Sequence, residues 1–87
     1  MKLRAAAAIA LAACAHGAGP RGPAAAVRAE VDQAETAEKQ RQHDVARTHY
    51  QRAIAAAHDP DSIAFARHEY AETLVTWGEA PEARAQL

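Results

Sequence analysis

The sequence predicts an all-α fold of about four helices, arranged as two antiparallel helical hairpins. Good helix formers dominate residues 27–87, and apolar residues recur there three or four positions apart. Short breaks that contain aspartate, proline or glycine divide this region into segments of helical length. Because the connections are short, consecutive helices are expected to be antiparallel neighbours.

The first 13 residues have the layout of a secretory signal peptide. Lys2 and Arg4 form a positive segment, and residues 5–13 are an uninterrupted apolar run of nine residues. A membrane-spanning helix needs about 20 apolar residues to cross a hydrocarbon core of about 30 Å, so this run is too short to span one.

Leu11, Ala12, Ala13 and Cys14 resemble the lipobox of bacterial lipoproteins at all four positions. The resemblance implies that the Cys14 thiol carries a diacylglyceryl group and that cleavage occurs between Ala13 and Cys14. It also implies that the new amine is acylated, typically with palmitate. Two or more acyl chains hold a protein stably at a membrane, because each buried CH₂ contributes about 0.8 kcal/mol. Ala15 follows the cysteine in place of aspartate. In enterobacterial-type sorting this implies the outer membrane, facing the periplasm, in preference to the inner membrane.

Composition limits what the remaining residues can do. The net charge of the chain is −1, and it becomes −3 for residues 14–87, because the leader carries Lys2 and Arg4 and no acidic residue. This balance argues against a nucleic-acid partner, which calls for a basic face. Cys14 is the only cysteine, so no disulfide can staple the fold. No cofactor is expected beyond the covalent lipid.

Residues 14–26 are predicted to be a flexible tether. Three glycines and two prolines fall within residues 15–26, which disfavours a stable helix. The foldable part is therefore residues 27–87, one small domain that buries only about 60 % of its unfolded surface.

The first two helices are predicted from their apolar stripes. Helix formers extend from Val27 to about Gln42, and Asp44 is a suitable N-cap for the second helix, which ends at Asp59-Pro60. The first stripe is thin and consists of Val27, Val31, Ala34 and Ala37. The second stripe is fuller and consists of Val45, Ala46, His49, Tyr50, Ala53, Ile54 and Ala57.

The third helix is the richest in apolar surface, with Asp61 or Ser62 as its predicted N-cap. Gly78 is placed to end it, and Pro81 suits the first turn of a fourth helix that extends to Leu87. The apolar positions of the third helix are Ile63, Phe65, Ala66, Tyr70, Ala71, Leu74, Val75 and Trp77.

Ala46, Tyr50 and Ala53 resemble the second helix of a tetratricopeptide repeat in residue type and spacing, and Ala34 matches the small residue that the family places 12 positions earlier. The resemblance implies that these small and aromatic residues interlock the two helices of a hairpin. Several positions depart from the family pattern. Its tryptophan, leucine, tyrosine and proline positions fall here on Glu30, Gln33, Ala37 and His58.

A second copy of the pattern includes the Gly78 turn. Ala83 takes the small position of the second helix, 37 residues after Ala46, against a family period of about 34. The other matched positions are Tyr70, Ala71, Leu74 and Leu87. A plain pair of helical hairpins stays open as the alternative.

One and a half to two repeats are fewer than the three or so that such stacks usually need. The open end then docks on a partner, associates with a second copy, or marks a truncated relative of a longer repeat lipoprotein. The resemblance implies a partner groove lined by the first helix of each hairpin, around Glu35, Gln42, Arg67 and Tyr70.

His68, Glu69 and Glu72 begin like the helix of a zinc protease, but Glu72 stands where that helix has its second histidine. His68 and Glu72 are one helical turn apart and offer two metal ligands, without a third in view. We therefore predict a solvated helix face, no metal and no catalytic residue. A metal-assisted hydrolase that uses His68 and Glu72 is the enzymatic alternative.

The leading prediction is a membrane-anchored bacterial envelope lipoprotein that acts through protein–protein interaction. Its expected contacts are membrane lipid through the acylated Cys14 and another envelope protein or a second copy of itself. A self-associating, lipid-anchored structural protein is the alternative.

Overall fold

The computed structural model describes residues 22–87, which form four helices and no strand. They are α1 (Ala25–Lys39), α2 (His43–Ala56), α3 (Pro60–Thr76) and α4 (Ala80–Gln86). The all-α prediction is confirmed for these residues. The predicted leader, Cys14 and most of the tether lie outside the described residues.

The core is built mainly from small residues, which let the helices approach closely. The α1 stripe is buried as predicted, and Tyr50, Tyr70 and Leu74 are the largest side chains that are fully enclosed. Val45 and Ile63, which the periodicity assigns to the core, are exposed. The buried apolar residues are Val27, Val31, Ala34, Ala37, Ala46, Tyr50, Ala53, Ala57, Ala66, Tyr70, Ala71, Leu74 and Ala83.

The turn between α1 and α2 closes earlier than the sequence predicts. Helix α1 ends at Lys39, and Arg41 takes a left-handed conformation with φ of 60°. The amide of Arg41 then donates to the carbonyl of Glu38, and that of Gln42 to the carbonyl of Ala37, at 2.9 Å each. This is a Schellman motif, which satisfies the last carbonyls of the helix. Asp44 is therefore inside the first turn of α2 and not its N-cap, which is Gln42.

Replacing Arg41 by glycine is expected to stabilise the fold by about 0.5–1 kcal/mol. Only glycine adopts this conformation without a penalty from its Cβ. Chemical denaturation of the two chains measures the difference, and Arg41→Ala is the matched control because it keeps the Cβ and removes the rest of the side chain. Equal stability of the glycine and alanine variants would show that backbone strain at this position is negligible.

The start of α3 also ties down the start of α1. The N-cap is Asp59, earlier than the predicted Asp61 or Ser62, and its carboxylate accepts hydrogen bonds from the Ser62 amide (2.9 Å) and hydroxyl (2.7 Å). The Ser62 hydroxyl in turn accepts from the Ala24 amide at 2.8 Å, and Asp61 accepts from the Gly22 amide at 3.2 Å. The last residues of the predicted tether therefore belong to the folded part, because α3 supplies the acceptors for their amides.

Gly78 ends α3 as predicted. Its φ is 83°, its amide donates to the carbonyl of Val75 (2.9 Å), and the Glu79 amide donates to that of Leu74 (2.8 Å). This second Schellman motif reverses the chain so that α4 returns along α3. Pro81 lies in the first turn of α4, also as predicted.

Candidate interaction surfaces

Two stacked tyrosines join the hairpins at the centre of the molecule. The rings of Tyr50 and Tyr70 are 5.1 Å apart, and the Tyr50 hydroxyl lies 2.8 Å from that of Thr73. Thr73 donates to the Glu38 carboxylate at 3.2 Å, so Tyr50 is the donor to Thr73. Burial, opposed by the Thr73 hydrogen bond, raises the pKa of Tyr50 to about 12. The phenol therefore keeps its proton at neutral pH and holds α2 against α3.

A cluster around Arg47, which we call the Arg47 clamp, attaches α4 to α2. The guanidinium donates to Glu82, to Glu79 (2.9 Å) and to the Tyr70 hydroxyl (3.0 Å). It also lies 5.5 Å from the centre of the Trp77 ring. These contacts raise the pKa of Arg47 further above its ordinary value, with the hydrogen bond to Glu82 as the largest cause. The clamp compensates for the small apolar contribution of α4, whose only buried residue is Ala83.

The Arg47 clamp predicts that α4 detaches in acid. The hydrogen bond from Arg47 lowers the pKa of Glu82 below its ordinary 4.5. A carboxyl with a lowered pKa stabilises the folded state above its ordinary pKa, and this contribution is lost as the pH falls through the lowered value. Helix content followed by circular dichroism should therefore fall below about pH 4.5. In Glu82→Gln this acid-induced loss of helix content should be smaller. Identical acid profiles of the variant and the wild-type protein would contradict the prediction.

Only some of the residues assigned to the partner groove are accessible in the structure. Glu35 is half-buried, and Gln42 and Arg67 are exposed, so all three are accessible to a partner. Tyr70, in contrast, is only 1 % exposed and its hydroxyl donates to Glu82. The prediction that Tyr70 lines an open groove is therefore wrong. Its stacking on Tyr50 places the ring in the core, which agrees with the position of Tyr70 in the apolar stripe of the third helix.

The face shared by α1 and α3 carries three carboxylates and one lysine, Lys39, which lines a surface cavity with Glu35 and Glu38. Burial, together with the charges of Glu72 and Glu35, raises the pKa of Glu69 on α3. Glu38 follows Glu35 by three positions and therefore lies on the same side of α1. We call Glu35, Glu38 and Glu69 the α1–α3 face. The charges of Glu35 and Glu69 repel each other, and a cation placed between them would relieve that repulsion.

Eight of the residues assigned to repeat packing are buried and Gly78 forms a turn, and Leu87 is the exception. Leu87, assigned to the aromatic position of the second copy, is 83 % exposed, so this assignment is wrong: no described helix lies beyond α4 to cover it. Ala37, which stands at the family's tyrosine position, is buried and simply lets α1 pack closely. Those that are buried as assigned are Ala34, Ala46, Tyr50, Ala53, Tyr70, Ala71, Leu74 and Ala83, and Gly78 forms the turn.

An apolar groove of about 460 Å³ lies between α3 and α4. Val75, 60 % exposed, and Leu87 project beside it, and alanines form much of its floor. We call it the open-end groove. Its lining residues are His68, Ala71, Glu72, Val75, Thr76, Ala80, Ala83, Arg84 and Leu87.

His68, Glu69 and Glu72 bring three donor atoms within 4.8 Å of one another. His68 and Glu72 are 3.2 Å apart, and both side chains are more than half exposed. An ion pair one helical turn apart accounts for this contact without a metal. Among the described residues this is the one group with metal-ligand spacing, and the predictions of no metal and no enzymatic activity stay predictions.

Sequence reasoning missed Arg47 and Thr73 and named Ser62 only as a possible N-cap, whereas all three hold the helices together through polar contacts. Ser62 and Thr73 are buried, although both are polar. Arg47 lies one position after the buried Ala46, so its place beside the apolar stripe was a usable signal. Its partners, Glu79 and Glu82, are too far along the chain for any helical spacing to connect them with it.

Comparison with protein-family models, with curated proteins and with solved structures found no match to this chain. Within residues 22–87, no helix has the length and apolar character needed to cross a membrane.

Proposed function

We propose that this protein is a lipid-anchored bacterial envelope lipoprotein whose helical domain binds another protein through the α1–α3 face. The anchor part of the proposal rests on the lipobox resemblance of residues 11–14. The binding part rests on one observation above all: Glu35 and Glu38 line one surface cavity with Lys39, and the pKa of Glu69 on α3 is raised by burial and by repulsion from the charges of Glu72 and Glu35. A partner that presents lysine or arginine there would relieve this repulsion.

The rest of the domain supports a binding role. The described residues form two hairpins that are locked to each other by the stacked tyrosines and by the Arg47 clamp. Such a domain holds the α1–α3 face in one arrangement, which lowers the entropy cost of binding. The tetratricopeptide-like spacing of Ala34, Ala46, Tyr50 and Ala53 is consistent with the same role, because repeats of that family present their first helices to partners.

The anchor is tested by expressing the full chain in a bacterium that processes lipoproteins. The mature protein should lack residues 1–13, carry the mass of its acyl chains on Cys14, and stay with the membrane after a high-salt wash. Cys14→Ser is the matched control and should be neither lipidated nor cleaved at this site. An unmodified Cys14 in the wild-type protein would refute the anchor.

The binding face is tested with a photo-crosslinking amino acid in intact membranes. Placed at Lys39, an exposed residue that lines one surface cavity with Glu35 and Glu38, it should capture one envelope protein. Placed at Arg52, an exposed position of α2, it should not. Reversing charge with Glu35→Lys should abolish the capture at position 39. Identical products from both positions, or capture that survives the reversal, would refute binding through the α1–α3 face.

A further inference from the structure

We propose that a second copy of this chain occupies the open-end groove, forming a two-fold symmetric dimer. The inference concerns a different surface from the α1–α3 face and does not depend on the lipid anchor. Three properties of the groove lead to it: its exposed apolar side chains, its floor of small residues and the opposite charges on its two walls.

The shape of the groove is complementary to itself. Val75 and Leu87 project as large apolar side chains. The small side chains between them form a depression, and they belong to Ala71, Ala80 and Ala83. In a two-fold dimer the same patch serves both copies, so the projecting side chains of each copy meet the low surface of the other. Burial of exposed apolar surface on both copies then stabilises the pair.

The charges of the groove are complementary to themselves as well. Glu72, whose carboxylate lies 3.2 Å from His68, is on the α3 wall, and Arg84 is on the α4 wall. Among the described residues, no acidic side chain forms an ion pair with Arg84. Helices α3 and α4 are antiparallel, which places these two residues at a similar height along the groove. A two-fold axis along the groove sets α3 of each copy over α4 of the other. Glu72 then faces Arg84 of the second copy, twice per dimer.

This arrangement selects a second copy over an unrelated partner. A foreign protein would have to reproduce both the alternation of large and small apolar residues and the opposite charges of the two walls. The chain itself already carries both features on one surface. The surface that one groove can bury is small for a protein–protein interface, so the dimer is expected to dissociate on dilution.

The test uses the full chain with Cys14→Ser, purified without detergent, so that neither lipid nor a disulfide can join two copies. Sedimentation equilibrium should show a monomer–dimer equilibrium. Glu72→Arg and Arg84→Glu should each weaken it at least about tenfold, because each variant places like charges opposite one another. An equimolar mixture of the two variants should restore dimers. In the mixed pair, the arginines at positions 72 and 84 of one variant face the glutamates at positions 84 and 72 of the other.

A second pair of variants separates the groove from general surface hydrophobicity. Val75→Glu, beside the groove, should abolish the dimer, whereas Val45→Glu, at a valine of α2 that is 45 % exposed, should leave it unchanged. Circular dichroism confirms that every variant is folded. A chain that stays monomeric at all concentrations would overturn the proposal. This holds even if residues 1–21 or another protein occupy the groove instead. A dimer insensitive to both charge reversals would also overturn it, because the copies would then meet elsewhere.

Discussion

Replacing Tyr50 by alanine is expected to unfold most of the helical domain at room temperature. The ring is 1 % exposed and stacks on Tyr70, and it is one of the largest side chains between the two hairpins. Truncation of a buried aromatic residue to alanine costs about 3–5 kcal/mol. A domain of this size has a total stability of about 3–10 kcal/mol, so the loss takes a large share of it. Urea denaturation followed by circular dichroism measures the change.

Tyr50→Phe is the matched control, because it removes only the hydroxyl. Thr73 keeps its hydrogen bond to Glu38, so no buried polar group is left without a partner. The expected cost is therefore only about 1 kcal/mol. If the phenylalanine variant were as unstable as the alanine variant, the hydrogen-bond chain, and not ring packing, would hold the hairpins together. If Tyr50→Ala folded with unchanged stability, the described core would be incorrect.

Replacing Arg47 by alanine is expected to release α4 while the other three helices stay folded. The seven-residue α4 is too short to be stable alone, and it buries only Ala83. Losing the contacts to Glu79, Glu82 and Tyr70 should cost about 1–3 kcal/mol. Hydrogen exchange should accelerate in residues 80–86 and change little in α1 and α2.

Two further variants show whether the geometry of the Arg47 clamp matters. Arg47→Lys keeps the charge but cannot reach two carboxylates and a phenol with one ammonium group, so its effect should be intermediate. Arg52→Ala removes an exposed arginine of the same helix and should leave α4 protected. Unchanged protection of α4 in Arg47→Ala would show that packing of Ala83 alone is enough to hold the helix.

The Arg47 clamp and the open-end groove are physically connected. One wall of the groove is α4, and the clamp is what holds α4 in place. Loss of the clamp therefore removes the wall that carries Arg84, although Arg47 itself does not line the groove. Dimerisation should consequently weaken in Arg47→Ala, and it should weaken in acid together with the docking of α4.

Local features of the chain determined the helices. The apolar stripe from Val27 to Ala37, the left-handed turn at Gly78 and the start of α4 near Pro81 follow from the residues within one or two turns of each position. The errors at helix ends came from competing local signals. Asp44 is as suitable an N-cap as any residue nearby. The left-handed turn at Arg41 makes the second helix begin at His43, so Asp44 lies inside its first turn.

Contacts between helices were decided only by the tertiary structure. Tyr70 is predicted both as an apolar position of the third helix and as a groove residue, and stacking on Tyr50, 20 positions earlier, places it in the core. Arg47 reaches Glu82 because α4 folds back along α3. Periodicity along one helix states which face is apolar, but not which face of another helix it meets. By itself, therefore, the sequence determined the four helices and most of their buried apolar positions, whereas Val45, Ile63 and Val75 of the predicted stripes are exposed. The docking of the helices decided the Arg47 clamp, the α1–α3 face and the open-end groove, because each of these combines side chains from different helices.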